Sequence, residues 1–459
     1  MLELVILALV VLGFIGFLTA RRRVVAMAAE SGVHSHSLPA YHGTFVALWV
    51  GLPALLLALA WLLLQDSVID YLILAGLPEH ITAGLDDARR SLVISEIRSI
   101  ANGQVFGDPR PELVAAAARL KTWGSLAGWA MVATCAALGL LGLLLTRQRV
   151  HPDFRARHGV ERILDVLMIA CAVVAIVTTL GIVASLLFEA FRFFERIPLG
   201  EFLFGLNWEP QIAIRADQVA GHGAFGAVPV FLGTLLVAFI AMTFAVPVGL
   251  LAAIYLAQYS GPRLRTTVKP LLEILAGIPT VVYGFFAVLT VAPAMRAFGA
   301  AIGLDVAPNS ALAAGGVMGI MIIPFISSLS DDALNAVPRS LRDGSYAMGA
   351  TKAETIRQVL LPAALPGIMG GVLLALSRAI GETMIVVMAA GLIAKMTVNP
   401  LDSVTTVTVQ IVTLLIGDTE FDNPKTLAAF ALGLVLFLTT LGLNVIALRI
   451  VQKYREKYD

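Results

Sequence analysis

Residues 343–362 read Asp343-Gly344-Ser345-Tyr346-Ala347-Met348-Gly349-Ala350-Thr351-Lys352-Ala353-Glu354-Thr355-Ile356-Arg357-Gln358-Val359-Leu360-Leu361-Pro362. Ser345–Met348 and Lys352–Leu360 are compatible with helix, and Gly349 is the natural break between them. Apolar Ala353, Ile356 and Leu360 against polar Lys352, Glu354 and Arg357 give the second segment two faces. Pro362 is expected to end it. Such a helix lies flat on a membrane or docks into a partner. Its flanks decide the setting. Ala311–Leu329 precedes it and Pro366–Ile393 follows it, each apolar and long enough to cross a hydrocarbon core.

Composition extends this reading to the whole chain. Of 459 residues, 58% are hydrophobic and 14% charged. A soluble chain has roughly 45–50% apolar and about 25% charged residues, so the fold class is an all-α polytopic membrane protein. The net charge of +1 favours no nucleic-acid partner. Nine apolar stretches qualify as spans: Leu2–Ala20, Thr44–Leu64, Gly124–Leu145, Ile163–Phe188, Val230–Tyr255, Leu271–Met295, Ala311–Leu329, Pro366–Ile393 and Leu427–Ile450. Basic residues cluster after every odd span, at Arg21–Arg23, Arg147–Arg162, Arg263–Lys269, Arg339–Arg357 and Lys453–Lys457. The positive-inside rule then places the N-terminus outside and residues 343–362 in the cytoplasm. Leu2–Ala20 has its charge behind it, so it reads as a retained anchor rather than a cleaved signal. Cys135 and Cys171 sit in apolar runs without metal-site spacing and read as small buried side chains.

The chain divides into an N-terminal membrane extension, 1–162, with an external segment, 65–123; a linking span with a second external segment, 163–228; a core, 229–451; and a cytoplasmic tail, 452–459. The 65–123 segment carries Asp86–Asp87, Arg89–Arg90 and an amphipathic period at Leu92, Ile94, Ile97 and Ile100, as expected of a small folded cap. Phe202, Phe204 and Trp208 fall in the second external segment, where interfacial anchoring is a sufficient reason for aromatics. The core is dense in Gly and Pro: Pro247, Gly249, Gly277, Pro279, Gly319, Pro324, Gly370, Gly371 and Gly381. That density suits close helix packing or a moving bundle, and both readings stay open. Lys269 and Glu273, four apart, are expected to pair at a helix end.

Two charges fall inside the eighth span. Arg378 lies twelve residues after Pro366, roughly 18 Å along a helix and near the middle of a bilayer core about 30 Å thick. Glu382 follows four residues later, on the same face of a continuous helix. A charge at that depth costs at least ~2.5–3.5 kcal/mol. A buried ion pair that fixes packing is one reading. The other is a polar patch on a translocation pathway, where the planar fork of Arg378 suits an oxyanion and Glu382 holds or releases it. No Gly-x-x-x-x-Gly-Lys-Ser/Thr run occurs, and no catalytic or metal cluster is apparent, so the chain reads as a non-enzyme that handles no ATP itself.

Residues 343–362 resemble the EAA loop of ABC importer permeases. Asp343-Gly344-Ser345 stands for Glu-Ala-Ala, and Gly349, Val359 and Leu361-Pro362 keep the spacing. The departures are Asp for Glu, Gly-Ser for Ala-Ala and Val for Ile. Ser377-Arg378-Ala379-Ile380-Gly381-Glu382-Thr383 looks like the matching stretch of phosphate permeases. Ala252–Leu256, Leu275–Phe286, Val337–Arg342 and Phe202–Pro210 point to the same family in its PstC branch, over about half the chain. The resemblance implies a type I ABC importer transmembrane domain, here with extra N-terminal spans, in a bacterial inner membrane. It implies a coupling loop of Asp343, Gly344, Ser345, Gly349, Val359, Leu361 and Pro362, and a substrate pathway at Arg378 and Glu382. It further implies a PstA-like permease partner, two ATPase subunits that hydrolyse the ATP, and an external phosphate-binding protein. The chain itself would carry no cofactor. A permease for molybdate or sulfate, or a scaffold reporting phosphate status to a sensing kinase, are the alternatives.

Overall fold

The computed structural model describes residues 2–31, 35–78, 87–104, 110–151, 153–211, 223–416 and 423–454. Asp86, residues 212–222, Arg455 and Lys457 lie outside the described residues. The chain forms two compact units, Met1–Val177 and Thr178–Asp459. Among the described residues nine helices are long and apolar enough to cross a membrane, the number read from the sequence.

The first unit holds α1 (Leu2–Ser31), α2 (Pro39–Ala75), α3 (Asp87–Ala101), α4 (Pro111–Arg149) and the start of α5 (Ala156–Arg196). Prolines open α2 and α4, where their missing N–H costs nothing. These two helices have 37 and 39 residues, more than the ~20 needed to span. Their surplus ends project together, and α3 closes over them. Ile97 of α3 is fully buried with Ile69, Ile73, Leu113 and Ala116, and Arg98 grips both carboxylate oxygens of Asp70 at 3.1 and 2.9 Å. The expected cap is therefore a small helical core. Its buried face runs through Val93, Ile97 and Ile100, whereas Leu92 points away and is exposed. Cys135 is buried as expected; Cys171 is exposed on α5.

The second unit begins within α5. It continues through α6 (Leu199–Phe204) and a two-stranded hairpin, β1 (Trp208–Glu209) antiparallel to β2 (Ala224–Phe225). Next come α7 (Val228–Ile254), which widens into a π-helical turn at Tyr255–Tyr259, and α8 (Pro262–Gly277). Then follow α9 (Thr280–Phe286), a second wide turn at Ala287–Val291, and α10 (Ala292–Ala301). The rest comprises α11 (Ala311–Ala336), α12 (Arg339–Ala347), α13 (Lys352–Thr355), α14 (Leu361–Ile380), α15 (Met384–Ala389), α16 (Val407–Leu415) and α17 (Pro424–Tyr454). α7 and α11 cross closely because α11 presents glycine to α7. A Cβ on Gly315 would come within 2.7 Å of Ile240, and one on Gly319 within 2.9 Å of the Ala241 carbonyl. Gly249 and Gly371 meet Ile326 and Leu329 in the same way, so much of the glycine density is tight packing.

Two expected spans are corrected. Leu271–Met295 is not one helix. Ile278 precedes Pro279, and both adopt extended backbone, ψ 130 and 136°. Steric conflict with a following proline drives a residue out of helix. The spanning run is Thr280–Ala301, and α8 is a separate helix with no buried residue. Nor does the eighth span reach Ile393: α14 stops at Ile380 with Gly381 as its cap. The short α15 and an irregular stretch over 390–406 follow, turning at Gly391 with φ +117°. The aromatics at 202–210 are also placed differently from simple anchors. Phe202 and Trp208 are buried with Phe193 and Phe225, and only Phe204 of the three is exposed.

Candidate functional site

The loop over 339–362 is specified by its own backbone. α12 is closed by Met348 and Gly349, whose φ of +85° suits glycine. Its N–H bonds to the Tyr346 carbonyl at 2.9 Å, and the Ala350 N–H to the Ser345 carbonyl at 3.2 Å. This is a Schellman cap. Two residues on, Thr351 and Glu354 form a reciprocal capping box that starts α13. Ser345 Oγ lies 2.9 Å from Thr355 Oγ1 and ties the two short helices together. Ile356 and Leu360 are buried beside Leu334 and Ala253 and seat the loop on the bundle. The Lys352 ammonium stands 5.0 Å over the Tyr259 ring.

Facing away from the bundle are Asp343, Gly344, Gly349 and Pro362, with Tyr346 and an 89% exposed Met348. Ser345, Val359 and Leu361 are half-buried. Solvent-facing apolar side chains on a rigid, doubly capped turn are what a partner groove takes up. One expectation fails: Pro362 does not end the helix. The wide turn over Ile356–Leu360, closed by Leu361 N–H on the Ile356 carbonyl, shifts the hydrogen-bond register, and the chain runs on into α14. Ala353 is exposed rather than part of the seated face.

Arg378 and Glu382 do not pair. Because Gly381 ends α14, Glu382 leaves the face on which Arg378 stands. Glu382 Oε1 instead accepts the Met384 N–H at 3.2 Å, at the start of α15. Its carbonyl accepts from Thr408 Oγ1 at 2.8 Å. Arg378 is exposed and makes no ion pair or side-chain hydrogen bond with the described residues. Its neighbour Ser377 bonds to Asn444 of α17 at 2.7 Å, which fixes the last turn of α14. The guanidinium is thus held by its backbone, and none of the described residues takes up its donors.

Sequence reasoning missed the polar network behind this site. Thr405, Thr406, Thr408 and Gln410 are all buried. Gln410 accepts from Trp208 Nε1 at 2.9 Å and donates to the Leu392 carbonyl and to Thr405 Oγ1. Thr406 and Thr408 lie 3.0 Å apart, and Thr408 reaches Glu382. The polar run in 403–410 was the available signal, but its partners are far off in sequence. A second cluster was also misread. Lys269 pairs with Asp331 at 2.9 Å and Asp332 at 3.6 Å, not with Glu273. That hydrogen bond raises the pKa of Lys269 and keeps it charged.

Residues 245–456 match the family model described as the binding-protein-dependent transport system inner membrane component, and residues 6–106 match one described as phosphate ATP-binding cassette transporter. The N-terminal extension is thus itself a family feature. The chain is 32% identical to the Bacillus subtilis protein named "Probable ABC transporter permease protein YqgH", over 62% of this chain and 89% of that one. It is 34% identical to the phosphate transport system permease protein PstC of Mesorhizobium japonicum, over 49% of this chain and 72% of that one. With PstC 1 of Mycobacterium bovis the identity is 35%, over 50% and 73%. Those relatives, the nine apolar helices and the doubly capped loop agree: the chain belongs to the binding-protein-dependent inner-membrane permeases, in their PstC-type branch.

Proposed function

We propose that this chain is the permease subunit of an inorganic phosphate importer and that Arg378 contacts the anion in transit. The observation that carries this is the guanidinium of Arg378, which pairs with none of the described residues and stands in the last turn of the span Lys352–Ile380. An arginine within a spanning helix almost always faces a partner or a water-filled path. Here Glu382 is engaged elsewhere, so the fork stays open to an oxyanion with two oxygens to offer. The relatives named as phosphate transport permeases support phosphate over other oxyanions.

The loop over 343–362 docks into a separate ATPase, with Met348 and Tyr346 entering its groove. A PstA-like permease, two ATPase copies and an external phosphate-binding protein complete the machine, and the N-terminus lies outside. ATP binding moves the loop and switches access to the pathway, which requires that each ligand prefer one conformation. The test is labelled phosphate uptake by the reconstituted complex with excess sulfate or molybdate. Saturable ATP-dependent uptake that resists both competitors is expected. Competition by either oxyanion, or binding without uptake, overturns the cargo assignment.

A further inference from the structure

Asp331, near the cytoplasmic end of α11, is the only buried carboxylate residue among those described, with 3% exposure. It is fully engaged. Arg265 Nη2 donates to both its oxygens at 3.0 and 2.9 Å, Lys269 Nζ donates at 2.9 Å, and Asn335 Nδ2 donates at 3.0 Å. Asp332 adds a second acid 3.6 Å from Lys269, so two acids face two bases. Both bases belong to α8.

α8 buries no residue. Its inward face is only half-buried, at Arg265, Val268, Lys269, Leu272 and Leu275, so strong polar bonds are its firmest hold on the bundle. Asp331 supplies those bonds. Five residues beyond Asp331, α11 ends, and only Val337-Pro338 separates it from α12, where the ATPase-facing loop begins. At its other end α8 is braced to α9 across the Ile278-Pro279 break, because Tyr283 Oη donates to the Leu275 carbonyl at 2.8 Å. α9 in turn rests on α15. A Cβ on Gly284 would come within 2.6 Å of the Met388 sulfur and 3.3 Å of the Met384 carbonyl. Met384 is the residue whose N–H holds Glu382.

We propose that Asp331 is the positioning residue that carries motion of the ATPase-facing loop into the transport pathway. It makes α8 travel with the end of α11, and the Tyr283 brace passes that displacement through α9 to α15 and Glu382. Breaking a buried ion pair releases α8 without touching either the docking loop or the anion site. The proposal rests on the phosphate-importer reading above, and its test separates the two.

The experiment measures ATP hydrolysed and phosphate imported by the reconstituted complex, wild type against Asp331→Asn, Lys269→Gln and Arg265→Gln. A wild-type complex that hydrolyses ATP and moves no phosphate fails the cargo reading, not this one. The expected result is that Asp331→Asn keeps most ATPase activity while uptake falls at least ten-fold. The ATP-to-phosphate ratio then rises by the same factor. The two single-base variants leave one cation on Asp331 and shift the ratio in the same direction by less. A merely structural role lowers both activities in parallel. An unchanged ratio in Asp331→Asn overturns the proposal. Should that variant not assemble, an unchanged ratio in both single-base variants overturns it.

Discussion

Trp208 donates its indole N–H to Oε1 of Gln410 at 2.9 Å, joining residues 202 positions apart. The bond fastens the β1–β2 hairpin to α16. Both amide hydrogens of Gln410 are engaged, since its nitrogen serves the Leu392 carbonyl and Thr405. Gln410→Leu therefore strands two buried polar groups, the Trp208 indole N–H and the Thr405 hydroxyl, and a half-buried carbonyl at Leu392. Each buried unsatisfied group costs about 1–3 kcal/mol. The expected outcome is a drop of several degrees in the midpoint of thermal unfolding in detergent. A double cycle with Trp208→Phe should show a loss smaller than the sum of the two single changes.

Arg378 offers the opposite case. It makes no ion pair or side-chain hydrogen bond with the described residues, so Arg378→Ala should leave assembly intact and stability within the spread of surface substitutions, about 0.5 kcal/mol. Uptake should fall by roughly 10- to 150-fold, the loss of one charge-assisted bond worth ~1.5–3 kcal/mol. Arg378→Lys keeps the charge without the fork and should lie between. Uptake at the wild-type rate by Arg378→Ala removes it from the pathway.

Gly349 holds φ at +85°. A side chain there costs about 1–2 kcal/mol, and proline, fixed near φ −65°, does not fit at all. Gly349→Pro should break the Schellman cap, swing Met348 away and uncouple ATPase activity from uptake. Gly349→Ala should do so partially. Parallel assays of ATP hydrolysis and labelled uptake decide the matter; full uptake in the proline variant contradicts the docking role.

Asp402 lies at a turn in the irregular stretch after Gly391, where its N–H bonds to the Asn399 carbonyl at 3.2 Å. The Thr397 hydroxyl and then Lys395 donate to its carboxylate and lower its pKa. A group with a depressed folded pKa contributes stability above its unfolded value and loses it as pH falls through the folded one. Order in 395–402 should therefore hold at neutral pH and weaken on acidification below the usual carboxylate range. Hydrogen exchange of this segment against pH reads the effect. Asp402→Asn should flatten the profile; an unaltered acid transition in that variant assigns it to another group.

Much of the fold was legible because lipid imposes simple rules. Seven of the nine apolar stretches emerged within helices of spanning length and two with shifted bounds, since a backbone in hydrocarbon has few alternatives. The break at Gly349 was legible for the same kind of reason, a local one. Errors arose where a short-range rule met a longer one. The i, i+4 rule paired Arg378 with Glu382 and Lys269 with Glu273. Gly381 ended the first helix, and Asp331 outcompeted Glu273 from 62 residues away. Pro362 looked like a stop because a wide turn earlier in the helix has no sequence signature.

By itself, then, the sequence determined that this is a many-spanned permease, and it placed the loop of Asp343–Pro362 and the charges at Arg378 and Glu382. Period, charge clustering and spacing are properties of neighbours along a chain, and they survive without coordinates. Only the tertiary structure decided that Arg378 stands unpaired among the described residues, that Gln410 and Asp331 are buried and bonded to several elements, and that Tyr283 bridges a broken span. Each of those depends on groups from separate helices converging. The free energy of a buried polar group is set by which partners reach it, and sequence distance carries no record of that.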